Sequence, residues 1–298
     1  MSTYVFVGPT ISEDQILSII PGVNILPPIQ RGDLIRLRPH QGDVVLIIDG
    51  YFGTKPSIQH MEVIHAIGKG CVVIGCSSMG ALRASEMDKV GMIGVGEIYD
   101  MYRTGVIDGD DEVAVLHDEE NYRTYSEPLV NIRVNLDRAV DKGLLSRELK
   151  GKLISNMKRR WFGERTYETL INECRKLPDV NAEDLERFLD LQAIDLKKLD
   201  SIRAISLIAE TSQWRMPIIQ FPLTSFAYHL VQEFNIAGKN KSGHSFTVDD
   251  VLNLVRLLFD DFKEAYQEVC VQYHMGQEAV VTDDFFLSPH ATSGSPAH

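Results

Sequence analysis

The sequence predicts an α/β fold in which an N-terminal, largely parallel sheet flanked by helices is followed by a mostly α-helical C-terminal half. Short apolar runs alternate with helical stretches from the start of the chain, which is typical of a parallel sheet. Residues 44–48 are apolar at successive positions, as expected of a strand that is covered on both faces. From Glu127 onward, helical periodicity continues without intervening strands.

The elements of the N-terminal half follow from this alternation in order. Ser12 is a good helix cap and predicts a helix over 12–20, and Pro56 suits the first turn of a helix that ends at Gly68. The glycines of residues 91–96 indicate a loop before a helix over 97–103. We predict the remaining helix over 81–87 and strands over 4–7, 23–26, 43–49, 71–75 and 110–117.

The second half of the chain is predicted to be helical, and the predicted helices cover 127–141, 146–160, 166–175, 182–189, 196–210 and 248–275. Residues 288–298 are rich in Ser, Pro, Ala and Gly and have no periodicity. We therefore expect an α/β core over 1–125, a helical region packed on or beside it over 126–287, and a disordered tail over 288–298.

Composition excludes several classes of function. The 298 residues include 30 Lys and Arg against 42 Asp and Glu, a formal net charge of −12, which repels phosphate backbones and anionic lipids. No apolar run reaches the length of about 18–20 residues that a membrane helix requires. We therefore expect neither a nucleic-acid partner nor a membrane partner.

The cysteines and the N-terminus predict a cytoplasmic protein with reduced thiols. The four cysteines form no C-x-x-C pair, and the first residues lack the features of a secretory signal. The loop at residues 8–10 lacks the glycine patterns of nucleotide-binding sites, so we assign no nucleotide site to it. We also expect no cofactor and no metal.

The most informative segment is Cys-Ser-Ser-Met-Gly at residues 76–80, between a predicted strand and a predicted helix. Small residues around a central serine fit a relaxed nucleophile elbow, in which Ser78 is the candidate nucleophile. The amides of Met79 and Gly80 are then the candidate oxyanion hole. The alternative interpretation is that Ser78 merely caps an ordinary helix, since serine is a preferred cap.

A serine nucleophile needs a base, and Lys55 and His60 are the candidates because both follow the strand that ends at Asp49. The carboxyl ends of parallel strands share one edge, where ligands of such sheets bind. The alternatives are a solvated lysine at position 55 and a partly buried helix residue at position 60.

Candidate substrate-binding residues lie at the same predicted edge: Thr10, Asp49, Tyr51 and Arg83. Asp49 either orients a base or caps the following turn. Arg83 either binds a substrate carboxylate or pairs with Glu86, three residues further along the same predicted helix.

A cluster of basic residues occupies the segment 147–160, where Glu148 is the single acid. This segment is either a solvated basic face balanced by acidic neighbours in the fold or a contact for an acidic partner surface. The cations are Arg147, Lys150, Lys152, Lys158, Arg159 and Arg160.

Ordered sequence blocks across roughly the first 170 residues resemble the TfuA-like family. They include Val-Phe-Val-Gly-Pro-Thr at 5–10, Ile-Asp-Gly-Tyr-Phe at 48–52, Ser-Met-Gly-Ala-Leu-Arg-Ala at 78–84 and Ser-Glu-Pro-Leu-Val-Asn-Ile-Arg at 126–133. The further blocks lie at 27–33, 91–96, 110–117 and 164–166.

This resemblance implies a partner of YcaO-type enzymes, which activate a peptide-backbone amide with ATP so that sulfur replaces its oxygen. Proteins of the family are similar to hydrolases that cleave the C-terminal thiocarboxylate of a ThiS-like carrier, and they help the YcaO enzyme to engage its peptide. The family's proposed catalytic pair is serine with lysine. The serine corresponds to Ser78, but the position of the lysine corresponds to Met61, in His60-Met61-Glu62.

The resemblance therefore favours an accessory hydrolase for peptide thioamidation. Its implied partners are a YcaO-type enzyme, a ThiS-like thiocarboxylated carrier and, as a further candidate, the precursor peptide. One alternative is a non-catalytic adaptor that joins these partners, with Met61 marking loss of the base. Another is an unrelated α/β hydrolase of a small ester.

Overall fold

The N-terminal half of the computed structural model contains a five-stranded, all-parallel sheet in the order β2-β1-β3-β4-β5. The structure describes residues 1–53, 55–177, 180–214, 225–234, 236–239, 245–247 and 250–251. The predicted α/β fold is confirmed. The strands are β1 (Thr3–Phe6), β2 (Asn24–Leu26), β3 (Val44–Ile47), β4 (Val72–Cys76) and β5 (Ile93–Val95).

Helices flank this sheet, and the central strands are buried along their whole length. Every residue of β3 and β4 is buried, in agreement with the successive apolar positions of their sequences. The approach of β4 to the following helix requires a glycine, because a Cβ on Gly75 would lie 2.1 Å from the Gly80 carbonyl oxygen. The helices of this half are α1 (Glu13–Ile19), α2 (Asp33–Leu37), α3 (His60–Gly68), α4 (Met79–Met87) and α5 (Glu97–Arg103).

Five more helices follow: α6 (Leu129–Asp141), α7 (Arg147–Lys158), α8 (Tyr167–Cys174), α9 (Ala182–Gln192) and α10 (Leu196–Glu210). Helices α6 to α9 share a core that includes Leu136, Leu153 and Leu170. Helix α10 instead joins the core of the sheet through Ala204, Ile205 and Ile208. Nowhere in the described ranges is a helix both long and apolar enough to cross a membrane.

The chain divides into two compact units. The first unit comprises Met1–Leu34 and Arg38–Ile219 and contains both the sheet and helices α6 to α10. The boundary predicted at residue 125 therefore lies inside this unit. The second comprises Ile35–Leu37 and Gln220–His298, in which the structure describes α11 (Ser225–Phe234) and an antiparallel hairpin of β6 (Ile236–Lys239) and β7 (Ser245–Thr247). The predicted helix over 248–275, apart from 250–251, and the predicted tail over 288–298 lie outside the described residues.

The fifth strand lies at Ile93–Val95, where the sequence predicted a loop, and the predicted strand over 110–117 is wrong. Gly94 suits a strand here because the Tyr99 ring covers it, and a Cβ would lie 2.2 Å from that ring. Asp110–Glu112 instead form a single 3-10 turn, in which the buried Glu112 pairs with Arg133 at 2.7 Å. The pairing of Glu112 with Arg133 accompanies a 3-10 turn rather than the predicted strand.

Candidate active site

A pocket of about 110 Å³ lies at the carboxyl edge of the sheet. The strand order reverses at β1, because β2 lies on one side of β1 and β3 lies on the other. Ligands of parallel sheets bind at such a reversal of strand order. The loop after β3 supplies the floor, from Asp49 to Phe52, and the turn after β4 supplies Ser78 and Met79. The segment from Val113 to His117 forms one wall.

The turn that carries Ser78 is strained at the preceding residue. Ser77 adopts a φ of 63°, which is uncommon for a residue with a side chain. Its buried hydroxyl donates to the carbonyl oxygen of Lys197 at 2.7 Å and also pairs with the Ser201 hydroxyl at 2.7 Å. These bonds hold the turn against helix α10.

Ser78 occupies the N-cap position of α4, but its side chain makes no capping hydrogen bond. Its backbone has φ −113° and ψ −122°, and the residue lines the pocket with 8% of its surface exposed. The sequence left open whether this serine caps a helix. The geometry leaves the hydroxyl available to a group in the pocket.

The two predicted oxyanion-hole residues differ in the structure. The amide of Gly80 donates to the Ile48 carbonyl oxygen at 3.3 Å, and a Cβ on Gly80 would lie 1.8 Å from the Ile47 carbonyl oxygen. Gly80 thus packs against β3, and its amide is engaged there rather than in the pocket. Met79 lines the pocket and remains the oxyanion candidate of the two.

A buried lysine that the sequence interpretation missed also lines the pocket. Lys197 is 3% exposed, and its ammonium donates to the Val113 carbonyl oxygen at 3.0 Å and lies 3.8 Å from Asp49 Oδ1. Burial lowers the pKa of Lys197, although the carboxylates of Asp49, Asp195 and Glu127 act to raise it. The first turn of α10, with its positive helix end, further disfavours an ammonium.

A lysine in this environment can act as a base. A neutral amine has a lone pair to accept a proton, and desolvation is the usual means by which proteins keep a lysine neutral. Ser78 and Lys197 line the same pocket. The pocket therefore brings together a serine and a buried lysine, the two residue types of a serine–lysine pair.

One sequence signal could have identified Lys197. It lies four, seven and eleven residues before Ser201, Ala204 and Ile208, and all four are buried. That spacing places the lysine on the apolar stripe of an amphipathic helix. A lysine on such a stripe is rarely buried without a partner or a role.

Asp49 serves mainly to hold the loop after β1. Its Oδ2 accepts from the amides of Gly8 at 2.9 Å and Thr10 at 3.1 Å, and its Oδ1 accepts from the Thr10 hydroxyl at 2.6 Å. Asp49 lines the pocket, whereas Thr10 is not among the described residues that do. These contacts bind the loop after β1 and not the turn that follows Asp49, so they differ from the turn-capping alternative.

The candidate bases Lys55 and His60 are not among the described lining residues. The Lys55 ammonium lies 3.8 Å from the ring centroid of Tyr51, which does line the pocket. His60 Nε2 lies 2.9 Å from the Glu86 carboxylate, and its side chain is 50% exposed. His60 is thus engaged outside the pocket, whereas Lys55 contacts a residue of the pocket lining.

Arg83 also has partners away from the pocket. Its Nε donates to the Ile58 carbonyl oxygen at 3.1 Å, and its Nη1 donates to Glu86 at 2.6 Å. This geometry corresponds to the ion-pair alternative rather than to a contact with a substrate carboxylate. Arg83 therefore joins α4 to the start of α3.

A fully buried arginine supports the wall of the pocket. Arg165 donates to the carbonyl oxygens of Met157 at 3.0 Å, Lys158 at 3.1 Å and Arg160 at 2.9 Å, all at the end of α7. Its Nη1 donates to the Asp111 carbonyl oxygen at 2.8 Å. Arg165 thereby fixes the segment that leads into the wall.

Aromatic rings line the same pocket. Phe162 meets Phe52 edge to face with ring centroids 6.2 Å apart, and Trp161 packs on Phe162 at 5.1 Å with 56% of its surface exposed. Among the described residues, no group of His, Cys, Asp and Glu could hold a metal ion. Apolar walls with a few converging polar groups are typical of a site for an organic ligand.

The fold and the pocket define an α/β protein in which Ser78 and Lys197 line one pocket at the reversal point of a parallel sheet. Residues 49–166 match the model of the family described as TfuA-like protein. This match confirms the resemblance noted in the sequence and includes Ser78 and Arg165, while Lys197 lies beyond it. No curated protein matches the chain significantly.

Proposed function

We propose that this protein is an accessory hydrolase that cleaves the C-terminal thiocarboxylate of a ThiS-like carrier and so delivers sulfur to a YcaO-type enzyme. The TfuA-like match supports an accessory role in a YcaO-related system. The observation that carries the hydrolytic step is the presence of Ser78 and the buried Lys197 in one pocket. The protein would also help the YcaO enzyme to engage its peptide.

In the first step, neutral Lys197 removes the proton of the Ser78 hydroxyl as the oxygen attacks the thiocarboxyl carbon. The negative charge of the tetrahedral intermediate is stabilised by the Met79 amide. The carbon–sulfur bond then breaks, and the lysine returns its proton to the departing sulfur, which leaves as hydrosulfide. The carrier remains bound to Ser78 as an ester.

In the second step, Lys197 removes a proton from water as the water attacks this ester. The carbon–oxygen bond to Ser78 breaks, the serine regains a proton, and the carrier leaves with an ordinary carboxylate. The net reaction consumes one water, releases hydrosulfide and one proton, and needs no redox cofactor. A volume of about 110 Å³ suits a slender chain end rather than a folded domain.

The test follows hydrosulfide release from thiocarboxylated carrier by Ser78→Ala and Lys197→Met. Each variant should lose at least about 100-fold in rate, since removal of a nucleophile or its base usually costs more than that. Lys198→Met is the matched control because Lys198 neighbours Lys197 but is partly exposed. A Ser78→Ala variant that keeps more than about a tenth of the rate would exclude the covalent mechanism.

The second candidate is a non-catalytic adaptor, which Met61 at the position of the family's lysine favours. In that case the wild-type protein releases no hydrosulfide yet binds the carrier and the YcaO enzyme. Lys55→Ala and His60→Ala belong in the same assay. Loss of turnover in either variant would identify that residue, rather than Lys197, as the base.

A further inference from the structure

Two buried asparagines on α6 face the segment that enters α10. Asn131 is 4% exposed and Asn135 is fully buried. They lie four residues apart, which places them on the same face of the helix. Amide side chains in such positions need hydrogen-bond partners, because an unsatisfied buried polar group destabilises the fold.

The side-chain amide of Asn135 bonds to both backbone groups of Ile194, in the pattern by which two neighbouring strands pair. Its Oδ1 accepts from the Ile194 amide at 2.8 Å, and its Nδ2 donates to the Ile194 carbonyl oxygen at 2.8 Å. The same Nδ2 also lies 2.9 Å from the Tyr167 hydroxyl. Both backbone groups of Ile194 are thereby fixed to α6.

Asn131 holds the first turn of α10. Its Oδ1 accepts from the Leu196 amide at 2.9 Å and, more weakly, from the Lys197 amide at 3.4 Å. Its Nδ2 donates to Oδ1 of Asp195 at 3.1 Å, and Asp195 is the N-cap of α10. The two asparagines together fix four consecutive residues, from Ile194 to Lys197.

The other side of Lys197 is fixed by the nucleophile turn. The carbonyl oxygen of Lys197 accepts from the Ser77 hydroxyl at 2.7 Å, one residue before Ser78. The backbone of Lys197 is therefore held between α6 and the end of β4. Small movements of this backbone would displace the amine relative to the Ser78 hydroxyl.

We propose that Asn131 and Asn135 are positioning residues, which hold the backbone of residues 194–197 so that the Lys197 amine enters the pocket beside Ser78. The inference rests on the proposed role of Lys197 as the base. Catalysis is sensitive to displacements of about 1 Å, so loss of one asparagine should lower kcat more than it raises KM.

The test compares Asn131→Ala and Asn131→Asp with the wild type. Asn131→Ala removes the acceptor for the α10 amides and should lower kcat about 10- to 100-fold with KM changed less than about 3-fold. Asn131→Asp keeps that acceptor but adds a carboxylate near Asp195 and Glu127. It should keep more activity than Asn131→Ala and move the acidic limb of the pH–rate profile upward by about 0.5–1 pH units.

A second readout does not depend on turnover. NMR of protein with isotope-labelled lysine follows the titration of the Lys197 amine directly, and its resonance is assigned by its absence in Lys197→Met. Both Asn131 variants should change this titration, while Asn156→Ala, a partly buried asparagine on α7, should leave it unchanged.

The outcomes separate the positioning role from the proposed function. An unchanged lysine titration with unchanged kcat in both Asn131 variants would overturn the positioning role. If Lys197→Met retains hydrosulfide release, the proposed base is wrong, yet a changed titration in Asn131→Ala, which adds no charge, would still establish the positioning. Should Asn131→Ala fail to fold, Asn131→Asp and Asn135→Asp decide by the same two measurements.

Discussion

Two adjacent buried serines carry different parts of the site. Ser77 accepts backbone strain at φ 63°, which costs on the order of 1–3 kcal/mol, and its hydroxyl bonds to Lys197 and Ser201. Ser78 makes no such bond with its side chain and faces the pocket. The strain at one residue therefore exposes the hydroxyl of the next.

A buried carboxyl away from the pocket should make the stability depend on pH. Burial raises the pKa of Glu62 to about 7, although the amides of Gly32 at 2.8 Å and Gln59 at 3.2 Å act to lower it. The folded state thus favours the protonated form. The contribution of Glu62 to the free energy of unfolding is complete below pH 4.5, the pKa of this carboxyl in the unfolded chain. It is lost as the pH rises through about 7, its pKa in the folded protein.

We expect Glu62 by itself to lower the free energy of unfolding by about 1–3 kcal/mol between pH 5 and pH 8. Glu62→Gln removes this titration and should flatten the dependence. Chemical denaturation at several pH values measures it. Glu127→Gln is the matched variant, because burial also raises the pKa of Glu127 to about 7. Equal slopes in the wild type and both variants would contradict the assignment.

Sequence reasoning identified the candidate nucleophile but not the lysine, for a physical reason. Ser78 sits in a local strand–turn–helix pattern that spacing alone reveals. Lys197 owes its character to burial against Val113 and Asp49, which lie far away in the chain. The spacing of Lys197 on an apolar stripe indicates burial, but desolvation of its charge is a tertiary property, so only the folded chain shows that Lys197 lines the pocket with Ser78.

At the scale of elements, most predicted helices and strands have the predicted type and nearly the predicted bounds. Helices over 97–103 and 196–210 match α5 and α10 in both bounds. The interpretation was wrong at Ile93–Val95 and at 110–117, and it did not predict α2, α11 or the hairpin of β6 and β7, which interrupts a half expected to contain helices without strands. At Ile93–Val95 the ring of the nearby Tyr99 covers Gly94, whereas at 110–112 the acidic turn pairs with Arg133 and Arg165, which lie further along the chain.

The basic segment of α7 illustrates the same dependence on neighbours. Lys158 lies 3.0 Å from Asp108, Arg160 lies 2.6 Å from Glu173, and Lys150 pairs with Asp137. These contacts favour a basic face balanced by acidic neighbours over a docking site for an acidic partner. Much of its charge is neutralised within the fold.

Arg165 is the side chain on which the wall depends most. Arg165→Met should lower the free energy of unfolding by about 3–5 kcal/mol, because it leaves the Asp111 carboxylate without its cation and four carbonyl oxygens without a donor. Arg165→Lys should recover only part of this loss, since lysine lacks the planar fork of arginine. Urea denaturation measures both.

The control for this comparison is Arg175→Met. Arg175 pairs with Glu186 at 3.0 Å, but its side chain is 51% exposed, so the change should cost less than about 1 kcal/mol. If Arg165→Met were no more destabilising than Arg175→Met, the buried hydrogen bonds of Arg165 would contribute little to the wall.

At the scale of the whole molecule, the family-matching region depends on a helix that lies beyond it. Ala204, Ile205 and Ile208 of α10 complete the core of the sheet, and Asp200 accepts from the amides of Glu97 at 3.0 Å and Ile98 at 2.8 Å at the start of α5. A fragment of residues 1–166 would expose this apolar surface and leave α5 without its cap.

We therefore expect the fragment 1–166 to show no cooperative unfolding transition, whereas the full chain should show one under the same conditions. Circular dichroism during urea titration measures this difference. A cooperative transition of the fragment, with a denaturant slope in proportion to its length, would show that α10 is not required.

The separation of Ser78 and Lys197 along the chain has a consequence for how the protein comes into being. At a synthesis rate of about 5–20 residues per second, roughly 6–24 s pass between the addition of the serine and the addition of the lysine on the ribosome. Throughout that interval the nascent chain contains Ser78 but not yet Lys197. The growing polypeptide therefore lacks the proposed base until α10 has been synthesised and has packed on the core of the sheet.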